Sequence, residues 1–339
     1  MNVCPNCFAD SELKAFISSS TTKGNCPTCS STATPILGLT ELLDFFQELI
    51  DNFESVGTGE SLKSKIQGNW SFFANHQVAE KILNHLLPRL KTAIGHANSS
   101  VDYIQEIRDN YGYWEILKDE LKWSNRFLSN LDQLLELGWD GFFNTQYRLT
   151  PSTGLFRARV HHQSGNPALT NTDMFCPPPY MAKGGRANPS GIPYLYLCDN
   201  KETVLYEIRA SYLDELSIGT FKLMGSQEEV IIVDFTEDTP LFQPESIRET
   251  IMAKLLRDKI SQDLSKPMRR YDSEIEYIPT QFICEFIRTY TGASGIRFSS
   301  SLHPSGKNIV IFDQSLMECS NVELHQVTTV NLQSTGLTP

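Results

Sequence analysis

The chain has 339 residues, 40% of them hydrophobic and 20% charged, with a formal net charge of -11. That composition is globular rather than disordered, and the length predicts two or three domains. The acidic balance disfavours nucleic acid as the main ligand, because folds that grip phosphate backbone normally carry a basic surface. No apolar run approaches the roughly 18–20 residues of a membrane-spanning helix, so no membrane association is expected. The N-terminal stretch MNVCPNCFADSELK lacks the charged-then-apolar layout of a signal peptide. The expected location is cytoplasmic, where thiols not bound to metal stay reduced.

Cys4 and Cys7 (in CPNC) and Cys26 and Cys29 (in CPTC) form two knuckles separated by 18 residues. Each tight turn offers two sulfurs to one tetrahedral ion, and the intervening chain is long enough for a small hairpin. The spacing predicts a structural four-cysteine zinc ribbon over residues 1–36. Lys14 and Lys23 are almost the only cations nearby, so the module reads as a folding clip rather than a nucleic-acid grip. Cys176, Cys198, Cys284 and Cys319 are scattered singly and read as core thiols rather than nucleophiles.

Residues 38–138 carry helical periodicity. Leu42, Leu43, Phe46, Leu49, Ile50 and Phe53 recur at three- and four-residue steps behind Thr40 as N-cap. Val78, Ile82, Leu83, Leu86 and Leu87 form a second helix that Pro88 ends or kinks, with Leu90, Ala93 and Ile94 continuing beyond it. A third run extends from about Tyr113 to Leu137 and stops at Gly138. Three to five helices make a small antiparallel bundle. This segment resembles the HEPN-like helical domains, some of which carry an Arg…His pair that cuts RNA. Here Arg89 and His96 form the one pair at a comparable spacing, and a solvated helix end is the simpler reading of it.

After Thr150 the texture changes to short strands and turns. GLFRARV, IPYLYLC, EEVIIVDF, GIRFSS and KNIVIFD read as strands. KETVLYEIRASYL, SIRETIMAKLLRDKI and IPTQFICEFIRTYT read as helices, and MFCPPPYMAKGGRANPSG as a long loop. The expected fold is α+β, with a curved mixed sheet over residues 145–315 and a tail or docking strand over 316–339. In GGRANPSG two glycines allow close backbone approach, and Arg186 supplies a planar cation suited to pyrophosphate. Tyr196 stands between Leu195 and Leu197, and Glu207 interrupts the apolar VLYEI. Such a carboxylate is either exposed on a helix face or drawn into a site.

The path from LFRAR through GGRANPSGIPYLYL, ETVLYEIR and IPTQFICEFI to GIRFSSSLHPSGKNIVIF resembles the RES domain over about 165 residues. The resemblance implies a fold related to ADP-ribosyltransferases and an enzyme that takes NAD as substrate. It places the family's arginine, glutamate and serine on Arg157, Glu207 and Ser300, all catalytic. Arg157 and Ser300, with Arg186 and Tyr196, also bind the nucleotide. Among the adjacent Ser299, Ser300 and Ser301, the family pattern selects Ser300, two residues after Phe298. One departure stands out: an aromatic residue often follows the first arginine in family members, and here that position is Ala158.

The implied reaction is NAD glycohydrolysis or phosphorolysis by a bacterial toxin or phage-defence effector, with water or inorganic phosphate as acceptor. Protein ADP-ribosylation is the alternative within the same chemistry, and a nucleotide-binding regulatory module without catalysis is the alternative of another class. Implied partners are an antitoxin protein and a second copy of the chain. Simpler roles are expected elsewhere: Arg159 and Arg209 as surface or structural cations, Glu285 as a helix-face residue, and His161, His162 and His303 as solvated loop residues.

Overall fold

The computed structural model describes residues 1–243, 246–267, 274–331 and 334–335. The chain divides into two compact units: Met1–Trp114 with Asp238–Leu256, and Glu115–Glu237 with Arg257–Pro339.

In the first unit, strands β1 (Asn2–Val3) and β4 (Leu37–Gly38) pair antiparallel, as do β2 (Lys23–Gly24) and β3 (Thr34–Pro35). Helix α1 (Ser11–Ser18) lies between the two cysteine knuckles. The Asp10 carboxylate caps it at Leu13 N (2.9 Å) and also accepts Leu241 N (2.7 Å). Helices α2 (Leu43–Ile50), α3 (Leu62–Trp70), α4 (His76–Leu86) and α5 (Gln105–Trp123) follow, with a two-stranded pair, β5 (Phe53–Ser55) and β6 (Val101–Tyr103), among them. Phe8, Phe46, Phe72 and Phe73 are buried together at their centre.

Several helical expectations over this stretch need correction. Thr40 does not cap α2. A 3-10 turn starts at Leu39, and the Glu41 carboxylate accepts Gly38 N (3.2 Å) in front of it. Phe53 belongs to β5, stacked on Tyr103 at 5.0 Å, so its helical spacing is coincidental. Pro88 ends α4 as expected, but the chain beyond it turns rather than continuing as a helix. The long run from Tyr113 is two helices, α5 and α6 (Leu131–Glu136). Asn125 breaks it: its side chain bonds both the N–H and the C=O of Leu128, competing with the helical ladder. Phe127 and Leu128 are left exposed there. Gly138, with φ +76, closes α6 in the left-handed conformation expected of a helix stop.

The second unit holds α7 (Trp139–Phe142) and an eight-stranded mixed sheet. Its strands are β7 (Gln146–Leu149), β8 (Leu155–Val160), β9 (Leu195–Cys198), β10 (Glu215–Leu223), β11 (Val230–Asp234), β12 (Gly295–Ser299), β13 (Lys307–Ile311) and β14 (Met317–Gln326). They lie in the order β14-β10-β8-β9-β13-β12-β11-β7, and only β11 and β12 run parallel. Leu155, Leu195, Leu197, Phe221, Ile232, Ile309 and Ile311 bury one face. On the other, Ala158, Cys198, Leu216 and Ile218 pack against Val204 of helix α8 (Lys201–Glu207). Helices α9 (Ile247–Ser265) and α10 (Ile278–Tyr290) complete the order, the unit division falling inside α5 and α9.

Residues 316–326, read from sequence as a tail or docking strand, form a 3-10 end and β14, which pairs with β10 along its whole length. Polar residues alternate along β14 because it is an edge strand, exposed on one side. Among the described residues no helix is long and apolar enough to cross a membrane.

Candidate functional site

The site arises where the large sheet parts. Strands β8 and β9 pair at a single point, Phe156 with Cys198. Cys198 pairs with Asn308 on β13, and Asn308 with Phe298 on β12. Phe156, Cys198, Asn308 and Phe298 therefore form one row across four strands. All four line a cavity of about 380 Å³, with Arg157, Ala158, Arg186, Tyr196, Val204 and Glu207 among the other lining residues. That volume lies within the range of small-molecule sites, about 300–1,000 Å³.

Glu207 is the last residue of α8, a helix started by the Asn200 side chain, which accepts Thr203 N (2.8 Å). Val204 and Ile208 pack on the sheet, and Glu207, three residues after Val204, shares that side of the helix. Its Oε1 accepts the Ser300 hydroxyl (2.7 Å) and the Asn308 side-chain amide (2.7 Å). Oε2 has no hydrogen-bond partner among the described residues. The carboxylate is thus held by one oxygen and available through the other.

Ser300 follows β12 in a turn that its own side chain organises, accepting Leu302 N (3.2 Å) and His303 N (3.1 Å). Of the three adjacent serines only Ser300 meets Glu207: Ser299 Oγ accepts Lys307 Nζ (3.0 Å), and Ser301 is exposed. His303 differs from the solvated residue expected. Its ring stacks on Tyr206 at 5.0 Å, and its Nδ1 meets Thr203 Oγ1 at 2.8 Å. Because that hydroxyl donates to Asn200 Oδ1, Nδ1 carries the hydrogen.

Arg157 and Arg186 reach the cavity from β8 and from the glycine-rich loop. Burial pulls both guanidiniums below the ordinary arginine value. Neither has a carboxylate partner within ion-pair distance among the described residues. Arg157 contacts Cys176 Sγ at 4.0 Å, and Arg186 donates to Leu264 O (2.6 Å) near the end of α9. A desolvated guanidinium without an ion-paired carboxylate among the described residues favours an anionic partner.

Tyr196 lines the cavity with its ring, but its hydroxyl is fully engaged in the loop that carries Arg186. It accepts Ala187 N (2.9 Å) and donates to Asn188 Oδ1 (2.8 Å). Asn188 is buried and donates to the carbonyls of Lys183, Pro189 and Ile192. Thr280 and Gln281 of α10 bond Arg186 O (2.6 Å) and Gly185 O (2.8 Å). A Cβ on Gly185 would stand 2.6 Å from the Tyr196 hydroxyl, so only glycine admits this approach.

Asn188 and Asn308 escaped the sequence reading. Asn188 stands beside Arg186 in a turn-rich loop, where asparagine is unremarkable. Asn308 is an amide directly before the apolar run IVIF, and that is the signal that could have found it. The remaining candidates lie elsewhere. Arg159 donates to Phe175 O (2.6 Å), Glu285 is exposed on α10, His161 meets Ser217 Oγ (2.8 Å), and His162 is exposed. In the first unit Arg89 donates to His85 O at the end of α4, which makes it part of the helix terminus.

The four N-terminal cysteines converge. Their sulfurs all lie within 4.8 Å of one another, at 3.4 Å for Cys4–Cys29, 3.5 Å for Cys7–Cys26 and 4.0 Å for Cys4–Cys7. A tetrahedral ion with metal–sulfur bonds of about 2.3 Å separates its ligands by about 3.8 Å, so the donor set fits such an ion.

A family model described as the RES domain matches residues 155–332, more than half of the chain. No curated protein and no solved structure matches the chain.

Proposed function

The chain belongs to the RES domain family, and from that premise we propose that it consumes NAD by cleaving the bond between nicotinamide and ribose. The observation that carries this reading is the pairing, in one cavity, of a carboxylate held through a single oxygen with two buried guanidiniums that form no ion pair among the described residues. Nicotinamide departs neutral from a cationic ring, so the bonding electron pair leaves with it. Positive charge then concentrates on the ribose as an oxocarbenium ion, the demand that glycosidases also meet. Glu207, through its free oxygen, stabilises that charge and holds the ribose hydroxyls. Arg157 and Arg186 hold the pyrophosphate, a dianion for which planar guanidiniums are well shaped. Tyr196 packs its ring against the nicotinamide–ribose end, and Ser300 keeps Glu207 oriented.

The acceptor is read from the products: free ADP-ribose for water, its phosphorylated form for phosphate, and a labelled protein for ADP-ribosylation. The test is nicotinamide release by the purified chain, with and without phosphate, beside Glu207→Gln. A loss of roughly 10²–10⁴ in rate is expected of that variant. Wild-type turnover that Glu207→Gln retains would sink the catalytic assignment. Nucleotide binding without turnover in either protein would favour the regulatory-module reading.

In a cell such an activity arrests growth, the property of a toxin or phage-defence effector. Restraint then falls to a partner antitoxin or to the preceding modules, which we read as a zinc ribbon and an HEPN-like helical domain. The zinc is structural: Cys4, Cys7, Cys26 and Cys29 hold it and clip the N-terminal hairpins together.

A further inference from the structure

Asn308 occupies the centre of the row Phe156, Cys198, Asn308 and Phe298 and faces the cavity there. Its two amide atoms are used differently. Nδ2 donates to Glu207 Oε1 at 2.7 Å, and Oδ1 accepts the Cys198 thiol at 3.3 Å. Burial, reinforced by the nearby Glu207 charge, pushes the Cys198 thiol up, so it remains protonated and can act only as donor toward Oδ1. That contact fixes which way the amide points.

We infer that Asn308 is a positioning residue: oriented by Cys198, it saturates one oxygen of Glu207 with Ser300 and leaves the other to the ligand. The inference rests on the NAD-cleaving reading for its kinetic consequence, though not for its electrostatic one. A neutral amide suits the task. A lysine there would pair with the carboxylate and offset the charge that the oxocarbenium ion requires.

The test uses the full chain with Asn308→Asp and Asn308→Ala. Asparagine and aspartate are isosteric, so Asn308→Asp replaces a donor by a second carboxylate beside Glu207. Two carboxylates at that distance share a proton, and one macroscopic pKa rises well above the ordinary carboxylate value. Below that pKa the pair holds one proton and Glu207 is partly neutralised. Above it both are ionised. The pH dependence of turnover in Asn308→Asp should therefore be displaced upward relative to the wild type. Asn308→Ala should lower kcat by about 10–100-fold with KM changed less than about threefold, the effect of losing a hydrogen bond to a charged group. Cys198→Ala should lower kcat by a few-fold through the loosened amide, and Cys198→Ser, which keeps a donor, should restore it.

A second readout needs no turnover: the carboxyl ¹³C titration of Glu207, assigned by its disappearance in Glu207→Gln. A midpoint raised in both Asn308 variants supports the inference. An unmoved midpoint, or Asn308 variants with wild-type kcat and pH profile, overturns it. A shifted midpoint in a chain that does not consume NAD would leave Asn308 positioning Glu207 for a different reaction, and the NAD reading alone would fall.

Discussion

Ser300 donates to Glu207 Oε1 across 2.7 Å while its oxygen accepts the backbone of Leu302 and His303, 3.2 and 3.1 Å away. One buried hydroxyl therefore joins the turn after β12 to the carboxylate at the end of α8, residues 93 apart in the chain. The turn and the carboxylate are fixed by the same atom, so geometry at one is transmitted to the other.

Ser300→Ala removes that atom. The two backbone N–H groups lose their acceptor, and stability should fall by about 1–3 kcal/mol. Glu207 retains Asn308 as its remaining donor, so turnover should fall about 10–100-fold rather than vanish. Steady-state kinetics beside thermal denaturation separate the two effects. A variant that is destabilised yet fully active would show that the turn matters and the carboxylate contact does not.

Arg157 and Arg186 are desolvated and form no ion pair with a carboxylate among the described residues, an arrangement that favours an incoming anion. Replacing either by lysine keeps the charge and loses the planar fork. KM for NAD should then rise about tenfold, with a smaller change in kcat. Arg186→Lys should also cost stability, since Arg186 satisfies Leu264 O. Unchanged KM in both variants would place the pyrophosphate elsewhere.

Much of this arrangement was legible in the sequence because it follows local rules. The strands GLFRARV, IPYLYLC and KNIVIFD and the helices around Glu207 and Cys284 carry clear periodicity, and Arg157, Arg186, Tyr196 and Glu207 do line one cavity. Strands β7 and β10 were missed, and β14 was read only as a tail or docking strand. β10 contains Gly219 and Ser217 where a strand pattern expects larger side chains, and β14 alternates polar residues along an edge. The role of the Tyr196 hydroxyl was illegible for a different reason. Its partners, Ala187 and Asn188, meet it only once the loop has folded back, and no spacing records a long-range hydrogen bond.

The cysteine cluster predicts one zinc per chain, measurable by elemental analysis of protein prepared without chelator. Removal by a strong chelator, or Cys7→Ser, should abolish or sharply lower an unfolding transition of the first unit. Metal binding and folding are coupled where the strand pairs are as short as β1–β4 and β2–β3. Protein that binds no zinc and melts identically with chelator would exclude the assignment.

Tyr196 and Gly185 should be energetically coupled. Tyr196→Phe removes the hydroxyl that bridges Ala187 N and Asn188 Oδ1, leaving two loop groups unsatisfied, at about 1–3 kcal/mol. The loop carries Arg186, so KM for NAD should rise as well, although the hydroxyl itself touches no ligand in this reading. Gly185→Ala drives a methyl to 2.6 Å from the same hydroxyl and 2.9 Å from Asn188 Oδ1, displacing the loop from the other side. In the double variant the closer of these two clashes is gone. The combined loss should therefore be smaller than the sum of the single losses, by more than the roughly 0.5 kcal/mol scatter of independent sites. Strict additivity in denaturant unfolding would mean that the loop is positioned by Thr280 and Gln281 alone, and that Tyr196 serves the cavity only through its ring.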